Sequence, residues 1–272
     1  MSTCRALLLA VALALPTHGV ALAFDPDAVF GKNEQPSTVL RYGVEALKGG
    51  RVDDAIGAFS YGAEHDHVGA QWKLARMLET GDGVPRDAVT ARKLYSGIVQ
   101  RFSTTAPSRF ERPYVAASLV SLGSYALNGL DGAVAANPRQ AEGHFYRAAA
   151  LFRDAEAQYR LGNLYRSTLL GEPQIRSAVR WLGLAARKGH PDALAELGQM
   201  LFRGDGVPRR PARGLAYLAR AAAASPSSAT QAMHDEAMRD ATDAERALAA
   251  RLASKWIVGP QPRTYGLAAT TN

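Results

Sequence analysis

LARMLETGDGVPRDAVTARKLY, residues Leu74 to Tyr95, carries the pattern that decides the fold. Ala75, Met77 and Leu78 follow Trp72 at helical spacing, and GDGVPR then breaks the period with two glycines and a proline. Behind the break, Asp87 is an N-cap residue type, and Ala91, Leu94 and Tyr95 restart a helical face. The hexamer GDGVPR returns at Gly204 to Arg209, 123 residues later. Such a recurrence points to an array of repeats.

Working outward, a small residue after a large one recurs at Gly43, Ala75, Gly123, Gly162 and Gly198, at steps of 32, 48, 39 and 36. These positions mark five first helices. Five second helices are marked by Ala55/Ala58/Phe59, Ala91/Leu94/Tyr95, Ala141/His144/Phe145, Ala178/Trp181/Leu182 and Gly214/Tyr217/Leu218. No strand-type alternation is sustained anywhere. Gly81 and Gly204 suit the left-handed residue after a helix, and Asp87 and the Asn137-Pro138 pair suit a helix start. Arg210 and Pro211 keep the proline but lose the cap.

A hairpin of about 36 residues cannot bury its apolar face alone. The expected fold is therefore all-α: a right-handed solenoid of about five helical-hairpin repeats over residues 39–224, after an N-terminal extension at 24–38. Gly or Ala at the first-helix markers lets paired helices approach closely, so Gly162→Leu is expected to overpack the contact by ~1–3 kcal/mol. Arg101 to Pro113 reads as a long, protease-accessible loop between the second and third repeats. Shorter irregular gaps fall at Leu130 to Ala136 and Leu169 to Pro173. Two polar helices, about Thr230 to Asp240 and Asp243 to Trp256, are expected to cap the stack within 225–256. Residues 257–272 read as a disordered tail.

The chain has 272 residues, 47% hydrophobic and 21% charged, with one Cys; that balance excludes collagen-like, wholly disordered and disulfide-scaffold classes. Its only long apolar run, Ala6 to Pro16, is shorter than the ~20 residues that cross a bilayer. Arg5 before the run, and Ala21-Leu22-Ala23 after it, read as a signal peptide over 1–23 cleaved between Ala23 and Phe24. Cys4 precedes the run and would be removed with the leader, so no lipoprotein anchor, disulfide or thiol chemistry is expected of the exported protein. Periplasmic export without stable membrane insertion follows.

Charge is uneven. Residues 24–135 carry 12 Lys+Arg against 13 Asp+Glu, whereas residues 136–272 carry 19 against 12. A basic C-terminal half suits an acidic partner, while arginines recurring every four to ten residues also describe ordinary solvated helix faces. Neither a Lys/Arg cluster nor an aromatic-studded basic strand supports nucleic-acid binding. Paired carboxylates, a phosphate-cradling glycine loop and a G-x-S-x-G elbow are all absent, so no catalytic residue and no cofactor is assigned. His65 and His67 around Asp66, and His190 before Pro191, occupy matching turn positions and read as structural rather than metal-binding. His144 reads as a partly buried helix residue. The loops Gly81-Asp82-Gly83 and Gly204-Asp205-Gly206 lack the remaining ligands of a calcium loop and read as repeat turns.

The stretches Leu74 to Tyr95, Leu161 to Tyr165 (LGNLY) and Ala185 to Val207 (AARKGHPDALAELGQMLFRGDGV) resemble Sel-one-like repeats, a tetratricopeptide-like family. That resemblance implies protein–protein binding. FDP at Phe24 to Pro26, the degenerate first repeat from Tyr42 to Trp72, and the long loop after YSGIVQ (Tyr95 to Gln100) are similar to a family of periplasmic exopolysaccharide regulators of alphaproteobacteria. This second resemblance implies a negative regulator that holds the sensor histidine kinase of the ExoS/ChvI two-component system off by binding its periplasmic sensor domain. A periplasmic protease would relieve the inhibition. Trp72, Arg76, Tyr125, Tyr159, Arg160 and Tyr165, on first helices, are the candidate partner contacts. The rival reading is a periplasmic scaffold for an anionic polysaccharide or a cell-wall enzyme.

Overall fold

The computed structural model describes residues 36–130, 132–225 and 228–255, together with Val29. The expected leader with its Ala23–Phe24 cleavage point, and the tail at 257–272, lie outside the described residues. Twelve helices are described: α1 (Pro36–Lys48), α2 (Val52–Glu64), α3 (Val68–Thr80), α4 (Ala88–Arg101), α5 (Arg112–Asn128), α6 (Pro138–Leu151), α7 (Ala155–Arg166), α8 (Ile175–Arg187), α9 (Pro191–Arg203), α10 (Pro211–Ala224), α11 (Ser228–Asp240) and α12 (Asp243–Ser254). Among the described residues there is no strand, only an isolated bridge between Leu130 and Val134.

The first ten helices form five antiparallel hairpins stacked in chain order. First helices also touch the first helices of neighbouring repeats, α1 on α3, α3 on α5 and α5 on α7. They form the inner layer of the solenoid, and the second helices form the outer one. At the far end, α11 packs on α9 and α10, and α12 packs on α10.

The small markers explain the tight pairing within each hairpin. A Cβ on Gly43 would lie 2.4 Å from the ring of Phe59, and one on Gly123 would lie 2.4 Å from the ring of Phe145. On Gly162 it would meet Leu182 at 2.8 Å. Phe59, Phe145 and Leu182 are fully buried. One apolar cluster runs from Val68 to Trp181 and a second from Leu182 to Ala249, so the core passes through the middle of α8.

The two GDGVPR turns have one geometry. Gly81 and Gly204 end their helices at φ +77° and +85°, and Met77 and Met200 each accept backbone hydrogen bonds from the two residues that follow the helix. Asp82 and Asp205 are exposed on the turns. A Cβ on Gly83 would sit 2.2 Å from Val52, and one on Gly206 would sit 3.0 Å from Ile175, so the second glycine lets each turn rest on the second helix of the preceding repeat. Asp87 and Asn137 cap α4 and α6 by accepting from Thr90 N and Gln140 N, while Arg210 provides no side-chain cap for α10.

Turns between repeats follow a second rule. His67, Asp154 and His190 each cap the next first helix, accepting from Ala70 N at 3.1 Å, Ala157 N at 2.8 Å and Ala193 N at 3.3 Å. The residue before each cap is left-handed: Asp66 at φ +63°, Arg153 at +55° and Gly189 at +81°. The carbonyls of Asp66 and Arg153 accept from Arg101 and Lys188, each 35 residues further on. A cation at the end of one repeat thus ties down the turn of the repeat before it. A left-handed L-residue carries a penalty that glycine escapes, and the carbonyl used by Lys188 survives the change. Arg153→Gly is accordingly expected to raise stability by about 1 kcal/mol in urea unfolding.

Burial lowers the pKa of His67 from its ordinary value of 6.5, against a smaller opposing effect of Glu111. The neutral ring is the form whose Nδ1 accepts from Ala70 N. A depressed folded pKa means that the unfolded chain takes up the proton first, so His67 contributes stability above pH 6.5 that is lost as pH falls below it. His67→Asn keeps an acceptor at the cap. The variant should show a flatter stability profile than the parent between about pH 7 and 5.

The loop between α4 and α5 spans 102–111 and is shorter than expected from sequence. Arg101 completes the last turn of α4 with its side chain on Asp66, and Pro113 lies in the first turn of α5, where its missing N–H costs nothing. Ser108 and Glu111 order the loop's end by exchanging backbone-to-side-chain bonds of 2.8 and 3.3 Å. Helix α1 starts at Pro36, inside the expected extension. The described part of α12 ends at Ser254.

Candidate protein-binding surface

Of the six predicted contact residues, two are buried and four stay at the surface. Trp72 and Tyr125 are only 5% and 9% exposed and belong to the central apolar cluster. Their side chains are packing elements, because their positions on α3 and α5 turn towards the neighbouring helices rather than solvent. Arg76, Tyr159, Arg160 and Tyr165 remain half-buried at the surface.

Each of these four is already oriented by an acidic neighbour or a stacked ring. Arg76 donates to Glu79 at 2.9 Å, and the buried Tyr95 hydroxyl donates to the same carboxylate at 3.0 Å. Burial and this carboxylate raise the Tyr95 pKa, and the same two causes raise that of Tyr125. One repeat pair further on, Tyr165 donates to Glu142 at 2.8 Å; burial and this bond push its pKa up to about 12. Arg160 donates to Glu156 at 2.5 Å, and Tyr159 stacks on His190 with ring centroids 4.7 Å apart.

Glu156 is the hub of that last group. His190 Nε2 lies 2.8 Å from its second oxygen. Burial disfavours its charge, yet the bonds and charges of His190 and Arg160 outweigh burial and lower its pKa. Behind it, burial raises the pKa of the capping Asp154. Arg166 on α7 reaches Glu196 on α9 at 2.8 Å, and Arg203 on α9 reaches Glu236 on α11 at 2.9 Å, so ion pairs link α7 to α9 and α9 to the terminal α11. The result is a set of held tyrosine and arginine side chains at the surface, the residue types that anchor protein interfaces.

Sequence reasoning missed several highly exposed large apolar side chains. Phe110 is 71% exposed in the 102–111 loop, Leu151 is 62% exposed at the end of α6, and Tyr146 is 51% exposed on α6. A signal existed for Tyr146: it directly follows the core residue Phe145, and one helical step of about 100° carries it out of the core. Among the described residues no group of His, Cys, Asp or Glu is placed to hold a metal ion, and no helix is long and apolar enough to cross a membrane.

Hairpins stacked in chain order define a helical repeat scaffold. The Sel1 repeat matches residues 68–96, 116–151, 155–190 and 191–226. The chain is 35% identical over 245 residues to the exopolysaccharide production negative regulator of Rhizobium meliloti (strain 1021), covering 89% of each chain. It is 33% identical over 214 residues to the protein of the same name from Rhizobium leguminosarum bv. viciae, covering 78% of each. The chain belongs to this family of exopolysaccharide production negative regulators built from Sel1 repeats. A crystal structure of a Sel1 repeat protein from Oxalobacter formigenes shares the fold, with a TM-score of 0.60 at 21% identity over 80% of this chain and 91% of that one. The first hairpin, α1–α2, lies outside the matched repeats yet repeats their packing through Gly43 and Phe59.

Proposed function

We propose that this protein is an exported, periplasmic repressor that binds the sensor domain of a membrane histidine kinase of the ExoS/ChvI kind and holds that system off. Exopolysaccharide production and motility lie downstream. The carrying observation is the likeness, over 89% of both chains, to a protein named as a negative regulator of exopolysaccharide production. The leader read from residues 1–23 supports export, and the held tyrosine and arginine side chains support a protein partner. Inhibition needs only that the repressor prefer the kinase's off state; its removal then shifts the equilibrium by the lost differential affinity. Cleavage by a periplasmic protease in the loop at 102–111 would separate the second repeat from the third and break their shared core.

Binding is tested with the full chain and the purified periplasmic domain of the kinase. Tyr159→Ala combined with Arg160→Ala is expected to weaken binding at least about tenfold, as for central tyrosine and arginine anchors. Salt should act mainly on the association rate. An absence of binding, together with unchanged exopolysaccharide output in a strain lacking the protein, overturns the reading. Normal derepression by a chain with an uncleavable 102–111 loop overturns the release step alone.

A further inference from the structure

The two layers of the solenoid differ sharply in charge. The outer helices α4, α6, α8 and α10 carry ten Lys and Arg against a single acid, Glu142. Glu142 is occupied by Arg139 and by the Tyr165 hydroxyl from α7. The inner helices α3, α5, α7 and α9 carry six Lys and Arg against four acids, with several of them paired. The outer helix of the first repeat, α2, carries Asp53, Asp54 and Glu64 and no Lys or Arg, so the basic layer has a defined edge.

On that layer Lys93, Arg147, Arg176, Arg180, Arg187 and Arg213 are exposed, and among the described residues none is ion-paired. Arg176, Arg180 and Arg187 share the exposed side of α8, a row about 16 Å long at the α-helical rise. Burial lowers the pKa of His144 on α6, and the charges of Arg147 and, from α4, Arg92 add to the effect. Tyr146 projects among them, 51% exposed and edge-on to Trp181 at 6.0 Å. Gly97, Gly143 and Gly183 lie within the same three helices, and a Cβ on any of them would meet nothing within 4 Å. No packing contact accounts for these helix-weakening residues, and they leave the backbone bare between the cations.

We propose that the outer face of α4, α6 and α8 binds a linear anionic polysaccharide bearing carboxylates. Guanidinium groups pair with carboxylates in a planar two-bond geometry, and the row on α8, flanked by Arg147 of α6 and Lys93 of α4, matches charges spaced along a flexible chain. The exposed Tyr146 ring offers a flat apolar surface to a sugar ring, and the bare glycines allow close approach. A protein interface core is depleted in charge, unlike this face. Its apolar exceptions, Val89 and Leu151, lie at helix ends and form no cluster for bilayer insertion. The site is separate from the inner-layer tyrosines and arginines, so failure of the kinase reading leaves it standing.

The test is binding of alginate oligosaccharide, a linear polyuronate, to the purified full chain by calorimetry. Neutral dextran is the uncharged comparison. Arg147→Gln/Arg176→Gln/Arg180→Gln should weaken alginate binding at least about tenfold, and the charge-matched Arg41→Gln/Arg239→Gln/Arg251→Gln less than about twofold. All six are exposed, and circular dichroism verifies that both variants fold. Affinity should fall as salt rises, and dextran should not bind. The proposal is overturned by equal losses in the two triple variants, by dextran binding as well as alginate, or by no alginate binding at low ionic strength. Tighter binding of duplex DNA or of phosphatidylglycerol vesicles, lost in the outer-face variant, also overturns it by assigning the face to another polyanion.

Discussion

Phe145→Ala lowers the free energy of unfolding by about 4 kcal/mol, near the upper end for an aromatic truncated in a core. The ring is 0% exposed and lies in the middle of the larger apolar cluster, with Tyr95, Leu119, Leu122 and Leu161. It packs against Gly123, which has no side chain to move into the space. The cavity therefore stays open, and its volume adds to the lost transfer energy. Phe145→Leu keeps most of the volume and should lose less than about 1.5 kcal/mol. Urea unfolding and hydrogen exchange across α5 and α6 measure both. A loss below about 1.5 kcal/mol for the alanine variant would mean that α5 and α6 can close around the gap.

Gly214→Ala is expected to cost about 2 kcal/mol net, although alanine is the better helix former by about 1 kcal/mol. The added Cβ would lie 2.6 Å from the Gly198 carbonyl oxygen and 2.6 Å from the Phe202 backbone N. Backbone atoms cannot rotate away, so α9 and α10 must separate. Because each repeat is stabilised through its neighbours, separation should weaken α9–α12 before the rest and can split unfolding into two transitions. Gly183→Ala, with nothing near its Cβ, is the control and should stabilise by up to about 1 kcal/mol. If both substitutions stabilise, the close approach of α9 and α10 is wrong.

The helical array was legible because its signals are local. The markers from Gly43 to Gly198 all lie on first helices, and those from Ala55 to Gly214 all lie on second helices. Helix boundaries were less legible: Arg101, Pro113 and Pro36 looked like loop or extension but have tertiary support or a permitted first-turn place. The candidate contacts divided. Period alone puts Trp72, Tyr125, Tyr159 and Tyr165 alike on first helices, but it does not say which side of a helix meets the next repeat.

Composition, periodicity and turn chemistry by themselves determined that this protein is an all-helical repeat array of five hairpins, because hydrogen bonding within helices and left-handed glycine turns depend on residues a few positions apart. Only the tertiary structure decided what depends on stacking. It buried two of the six candidate contacts and tied two of the inter-repeat turns, at Asp66 and Arg153, to cations 35 residues away. It also sorted an unremarkable scatter of arginines into one outer layer. Packing of successive repeats sets which side of each helix meets solvent, and that relation joins residues too far apart in the chain for a sequence pattern to encode.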